Sequence, residues 1–307
     1  MTSDNKTRLL LFSVPLMWGL NFPFMKVGLE FITPLAYSSL RMVFSVAVAW
    51  IILYYSKTYQ KIVKEDWKSM FFVSFFGFFI FQVLFILGVN LTTSGNAAII
   101  VALLPISVVI LNTILKIEQI SKKTFGVIAF SFVGILLVIL GSGKELSLAH
   151  NHLIGALMLL VGQFFFAYYT IFSKRLMAKY SSYQVIAYVF SISTFFFFLI
   201  SIPELIQLDY KAVPQMGWSS NIYSGIFAIG IGNIIWVWGI NKIGSTGTAL
   251  YNNLTPVFAV IFAFLILGEK FSFIQFIGAA IIFIGLSMNR NKAGSTISQQ
   301  VVFSNDE

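Results

Sequence analysis

A chain of 307 residues with 58% hydrophobic side chains, 10% charged ones and a mean hydropathy of +0.88 has too little polar surface to coat a soluble globule of that size. It contains no cysteine, which excludes disulfides, thiolate metal sites and cysteine nucleophiles. Its net charge of +9 is scattered between apolar runs and forms no single basic face, so it speaks to membrane topology and against nucleic acid as a partner.

A helix needs roughly 20 apolar residues to cross a bilayer, and ten such runs follow one another along the chain. The first, 8–28, is "RLLLFSVPLMWGLNFPFMKVGL", long enough to span and without the small-residue cleavage pattern of a signal peptide; it carries Trp18 and Asn21. The second, 33–55, holds Arg41, and the third, 67–89, is rich in phenylalanine around Gln82. The fourth, 92–115, contains Asn96 and Pro105 and runs out at Glu118, before a fifth at 121–141. His150 and His152 fall in the next loop; an i, i+2 pair without a nearby acid is a poor metal site, so neither metal nor cofactor is expected. The sixth run, 152–174, carries Gln163, Tyr168 and Tyr169, and the seventh is 182–203. The eighth, 218–240, combines Asn233, Trp236 and Trp238 with Gly225, Gly230 and Gly232, small residues suited to close packing or a hinge. The ninth, 245–267, contains "YNNLTP", with Tyr251, Asn252, Asn253 and Pro256. Glu269 and the capping-box pair Ser272 and Gln275 introduce the tenth, 273–289, and the polar tail 291–307 is expected to be disordered and cytoplasmic.

With the N-terminus in the cytoplasm, fifteen Lys and Arg residues fall inside and four outside. A shift of 151 positions then aligns the segment from Gly88 to Gly134 with that from Gly239 to Gly285 without a gap, matching Asn90 with Asn241, Pro105 with Pro256 and Glu118 with Glu269. The expected fold is therefore an all-α integral membrane protein of ten transmembrane helices, built as two inverted five-helix repeats. The repeats are residues 1–146 and 147–290, inverted because five is odd, and a substrate site is expected near the midplane where they meet.

The "WGLNFPFMK" of the first run, the arginine in "SSLRMVFSVAVAW" and the paired "P…E…G" patterns around Pro105 and Pro256 resemble the drug/metabolite transporter superfamily, EamA type. The likeness covers residues 8 to 290, with "LKIE" in the first half departing from the "LGE" of the second. It implies ten helices, alternating access and the movement of small metabolites, often outward.

Arg41 lies well inside its span, where a guanidinium must face protein or water. It either recognises a substrate carboxylate or phosphate or holds backbone carbonyls. Glu118 and Glu269, at helix ends, read as hairpin structure along with Ser272 and Gln275, and Pro105 and Pro256 read as architectural kinks. No Asp, Glu or His then remains at midspan, which favours facilitated exchange or uniport. The candidate cargo contacts are Trp18, Asn21, Arg41, Gln82, Asn96, Gln163, Tyr168, Trp236, Tyr251, Asn252 and Asn253. The two asparagines rank above Pro256 because the repeat puts only Val101 and Ala102 opposite them. Amides, aromatic faces and one arginine suit an amino acid or related amphipathic solute, with a sugar or drug as the alternative. A membrane-embedded enzyme would need a nucleophile with a base or a metal cluster, and a channel fits an inverted duplication less naturally. The expected partners are the lipid bilayer of the inner or plasma membrane and the small solute, with both termini cytoplasmic.

Overall fold

The computed structural model describes residues 3–91, 97, 100–118, 120–140, 150–267 and 272–288, and among them there are helices and no strand. In chain order we label α1 (Ser3–Leu29), α2 (Pro34–Ser56), α3 (Asp66–Leu91), α4 (Leu104–Ile114), α5 (Lys122–Leu140), α6 (His150–Leu176), α7 (Ser182–Gln207), α8 (residues 215–243), α9 (residues 245–267) and α10 (Phe273–Met288). Six stretches of the described residues are long and apolar enough to cross a bilayer: Thr7–Leu29, Pro34–Ser56, Asp66–Leu91, Leu153–Leu176, Ser182–Gln207 and Gln215–Ala259. Leu104–Ile114 and Phe276–Gly285 are shorter apolar helices.

The irregularities in these helices have sequence causes. Between α8 and α9, Gly244 sits at φ 79°, a conformation glycine adopts without strain, and this breaks what would otherwise be one long helix. Pro105 and Pro256 do not kink helix interiors as expected. Each lies in the first turn of an α-helical segment, where its missing N–H leaves the fewest bonds unmade, after a turn at residues 102–103 and a 3₁₀ stretch at Leu250–Leu254 respectively. π-helical stretches interrupt α3 at Val73–Ile80 and α8 at Ser224–Ile231, the second beginning and ending 151 positions after the first.

A π-helical stretch loosens the regular ladder and leaves carbonyls for other donors. Ser45 of α2 donates to the Gly225 carbonyl at 2.8 Å, and Ser193 of α7 donates to the Ser74 carbonyl at 3.0 Å. Gly225 lies 151 positions after Ser74, so the same backbone site of each π-helical stretch takes a serine hydroxyl from a neighbouring helix.

Packing follows the same rule of counterparts. α1 packs on α9 as α6 packs on α4; α2 packs on the π-helical part of α8 as α7 packs on that of α3; α2 lies along α7, and α5 along α10. Glycine makes one of these contacts possible: a Cβ on Gly225 would collide with the Arg41 carbonyl where α2 crosses α8. At the helix starts, Ser121 accepts from the Thr124 N–H at 3.1 Å, and the Ser272 carbonyl accepts from the Phe276 N–H at 3.2 Å. The side chain of Gln275 lies outside the described residues, as do Asn96, Glu269 and the tail 291–307.

Candidate functional site

Between α1, α2, α3, α4, α6, α8 and α9 lies a cavity of about 60 Å³. Its polar lining is Trp18, Asn21, Arg41, Gln82, Gln163, Asn233, Asn252 and Thr255, closed by the rings of Phe22, Phe81, Phe85 and Phe166. Six of the eleven candidate cargo contacts thus meet here, together with Asn233. The phenylalanine-rich run of α3 also supplies Phe81 and Phe85 to the cavity wall.

Arg41 is only 1% exposed. Its Nη1 donates to Ser224 Oγ (3.2 Å) and Met25 Sδ (3.5 Å), and its Nη2 donates to Ser38 Oγ (3.2 Å) and Gln82 Oε1 (3.1 Å). None of these partners is a carboxylate, and the Nε–H has no protein partner among the described residues. Three buried amide oxygens of the same lining, Asn21 Oδ1, Gln163 Oε1 and Asn233 Oδ1, also lack a protein donor among the described residues. The amide group of Asn233 is oriented by Nδ2 donating to the Ile229 carbonyl at 3.0 Å, inside the π-helical stretch. One face of the cavity therefore offers a cation with a spare donor, and the rest offers spare acceptors.

Trp18 forms the aromatic base. Its Nε1 donates to the Ala228 carbonyl at 2.9 Å, and its ring lies 5.0 Å from that of Trp236 and 5.9 Å from Phe166. Trp236 is fully buried and donates to Thr170 Oγ1 at 3.2 Å; it backs Trp18 and does not line the cavity. Tyr251 and Asn253 are buried within the 3₁₀ stretch, also away from the lining. Tyr168 stands elsewhere, in a crevice between α3 and α6.

Asn252 does line the cavity, but both ends of its amide are committed. Its Nδ2 donates to the Val101 carbonyl at 2.8 Å, and its Oδ1 accepts from Thr255 Oγ1 at 3.2 Å. Val101 is four residues before Pro105, so its carbonyl is the one that the proline leaves without an i+4 donor. Asn252 and Val101 are also 151 positions apart, each the other's repeat counterpart. Asn252→Ala should therefore lower the thermal stability of the purified protein by about 1–3 kcal/mol, the cost of a buried unpaired carbonyl. Adding Pro105→Ala returns an N–H to that carbonyl, and thermal unfolding should show the second change to be less harmful in the Asn252→Ala chain than in the parent.

A second polar cluster joins α4, α6 and α9. Glu118, just after α4, accepts from the backbone N–H groups of Ser245 (3.1 Å) and Thr246 (3.3 Å), from Thr246 Oγ1 (2.8 Å) and from Asn112 Nδ2 (3.3 Å). Lys174, at the end of α6, pairs with it at 3.2 Å. The break at Gly244 turns the first N–H groups of α9 toward this carboxylate, a favourable place for negative charge. Burial raises the Glu118 pKa, but Lys174 and the Thr246 and Ser245 donors outweigh it, and the carboxyl lies below its ordinary value. Glu118, read from sequence as part of a local hairpin, is thus a long-range tie between three helices.

The profile of the EamA-like transporter family matches residues 5–140 and 153–290. The uncharacterized transporter YetK of Bacillus subtilis (strain 168) is 27% identical over 85% of this chain and 79% of its own length. An uncharacterized transporter of Archaeoglobus fulgidus is 25% identical over 94% of this chain and 99% of its own. A protein of Streptantibioticus cattleyicolor named a probable terminal-alkyne amino-acid exporter is 23% identical over 70% of each chain. One solved crystal structure shares the fold, with a TM-score of 0.77 over 92% of this chain and 97% of that one at 16% identity.

Proposed function

The chain belongs to the EamA-like transporter family, and from that premise we propose that it is a secondary transporter that exports a small zwitterionic metabolite, an amino acid or a close relative, by alternating access. One observation carries the choice of cargo: among the described residues, the cavity pairs a buried guanidinium that has no carboxylate partner with three amide oxygens that have no protein donor. A carboxylate would take up the Arg41 Nε–H, and an ammonium, with three N–H donors, matches the oxygens of Asn21, Gln163 and Asn233. Trp18 and the phenylalanine rings leave an apolar surface for a side chain. The relative named as an amino-acid exporter agrees with this reading.

In the proposed architecture ten helices span the inner or plasma membrane as two inverted five-helix units, residues 1–146 and 147–290, with both termini in the cytoplasm. The 151-position offset supports it, since the offset recurs in the π-helical stretches, in the serine hydroxyls they accept and in the Asn252 to Val101 bond. Glu118 would then lie on the cytoplasmic side, tying the end of α4 to the start of α9 and to α6. Counterflow tests the function: proteoliposomes preloaded with an unlabelled amino acid should transiently accumulate the labelled one, saturably, with competition from other zwitterions. Equal competition by a neutral sugar would overturn the choice of cargo.

A further inference from the structure

Tyr168 points to a different ligand. It lines a crevice of about 200 Å³ between the start of α3 and the end of α6, with Lys68, Ser69, Phe72, Phe172 and Arg175. Lys68, Ser69 and Phe72 share one face of α3, and Tyr168, Phe172 and Arg175 recur at i, i+4 and i+7 on one face of α6. The Arg175 guanidinium rests over the Phe172 ring at 4.7 Å, and the Tyr168 and Phe172 rings stack at 4.3 Å.

From this arrangement we propose that the crevice binds the headgroup of an anionic phospholipid. Its phosphate sits between Lys68 and Arg175, within reach of the Ser69 hydroxyl, and an acyl chain runs along the apolar rings deeper in the crevice. The crevice descends from charge to apolar surface as a lipid does. Arg175 is in the last turn of α6, and Tyr168 lies about 10 Å deeper at 1.5 Å per residue. Beyond it, exposed Phe76 and Phe164 continue an apolar wall on the same two helices. Trp67, exposed one residue before Lys68, fits the headgroup level where tryptophan collects. Among the described residues, Asp66 is held by Lys179 at 3.0 Å and by the Tyr180 hydroxyl at 2.8 Å, and Glu118 is held by Lys174. Basic pockets between spanning helices are suited to acidic lipid headgroups. The proposal rests on insertion in a bilayer and is independent of which solute is carried.

The test is native mass spectrometry of the full chain released from bilayers containing phosphatidylglycerol and phosphatidylcholine in equal amounts. The wild type should retain phosphatidylglycerol with a preference of about twenty-five-fold, two cations contributing about five-fold each. Lys68→Ala with Arg175→Ala should bring the ratio to about one, whereas Lys68→Arg with Arg175→Lys, which keeps both charges, should preserve it. Unchanged preference in the alanine double variant, or equal retention of phosphatidylcholine by the wild type, would overturn the proposal. A further arm adds inorganic phosphate and glycerol phosphate to the protein in neutral detergent. If these stabilise it against heat as strongly as phosphatidylglycerol does, the crevice is a site for soluble phosphate and the lipid assignment is wrong.

Discussion

Arg41→Ala lowers the apparent affinity for a zwitterionic cargo in counterflow by about 100-fold or more, the expected result of removing one partner of a buried charge-assisted pair. The same change also leaves Gln82 Oε1, Ser38 and Ser224 without their shared donor, so some loss of stability accompanies it. The two effects separate by cargo. For a matched amide without a carboxylate, the variant and the wild type should differ far less. If Arg41 acted only to hold α2 against α3 and α8, both cargoes would lose equally. Arg41→Lys keeps the charge but cannot reach four acceptors from a planar fork, and should recover only part of the affinity.

The second large effect is at Glu118. With the carboxylate neutralised, the N–H groups of Ser245 and Thr246 and the Lys174 ammonium lose their common acceptor, and the contact between α4, α6 and α9 weakens. Because the native chain has no cysteine, a single introduced thiol reports without background. Ser173 is fully buried on α6, one residue before Lys174, and Ser173→Cys is a suitable reporter. Glu118→Gln should raise its labelling rate by an impermeant reagent from the Lys174 side by about ten-fold, the equivalent of one lost charged hydrogen bond. The pH dependence has a fixed sign. A carboxyl whose pKa is depressed in the tied state stabilises that state fully above the ordinary carboxylate value, and the contribution is lost as the pH falls through the depressed one. Labelling of the parent reporter should therefore rise on acidification below the usual carboxylate range, while that of Glu118→Gln stays flat there. A reporter equally protected with and without Glu118 would show that the cluster does not hold α4, α6 and α9 together.

Much of the site was legible because membrane spans make polar residues conspicuous. Trp18, Asn21, Arg41, Gln82 and Gln163 stand out against apolar runs, and all five line one cavity. The 151-position offset was legible because asparagine, proline and glutamate recur at it. Direction around each helix was not legible. Tyr168 and Tyr169 are adjacent in sequence, yet one lines the crevice between α3 and α6 and the other is buried against Phe78 and Phe166; aromatic and aliphatic residues stand on both sides of α6, so the pattern does not say which tyrosine turns inward. Phe81 and Phe85 were hidden among the other phenylalanines of α3 for the same reason. Asn252 carried a signal that pointed two ways: its absence from the other half suggested cargo, whereas its partner is the carbonyl that Pro105 leaves free in that half. An i−4 rule applied across the repeat could have found it. Glu118 was placed at a helix end correctly, but its reach to Ser245 depends on the break at Gly244, a backbone event that the sequence shows only as one more glycine in a glycine-rich segment.

Competition in counterflow by four matched compounds tests the choice of cargo most directly: an amino acid, its amide, the amine left by removing the carboxylate, and the acid left by removing the ammonium. The reading predicts that the intact zwitterion competes best and that each of the other three is weaker by about ten-fold or more, because each leaves either Arg41 or the amide oxygens of Asn21, Gln163 and Asn233 unpaired. An amide or an amine that competes as well as its parent amino acid would contradict it.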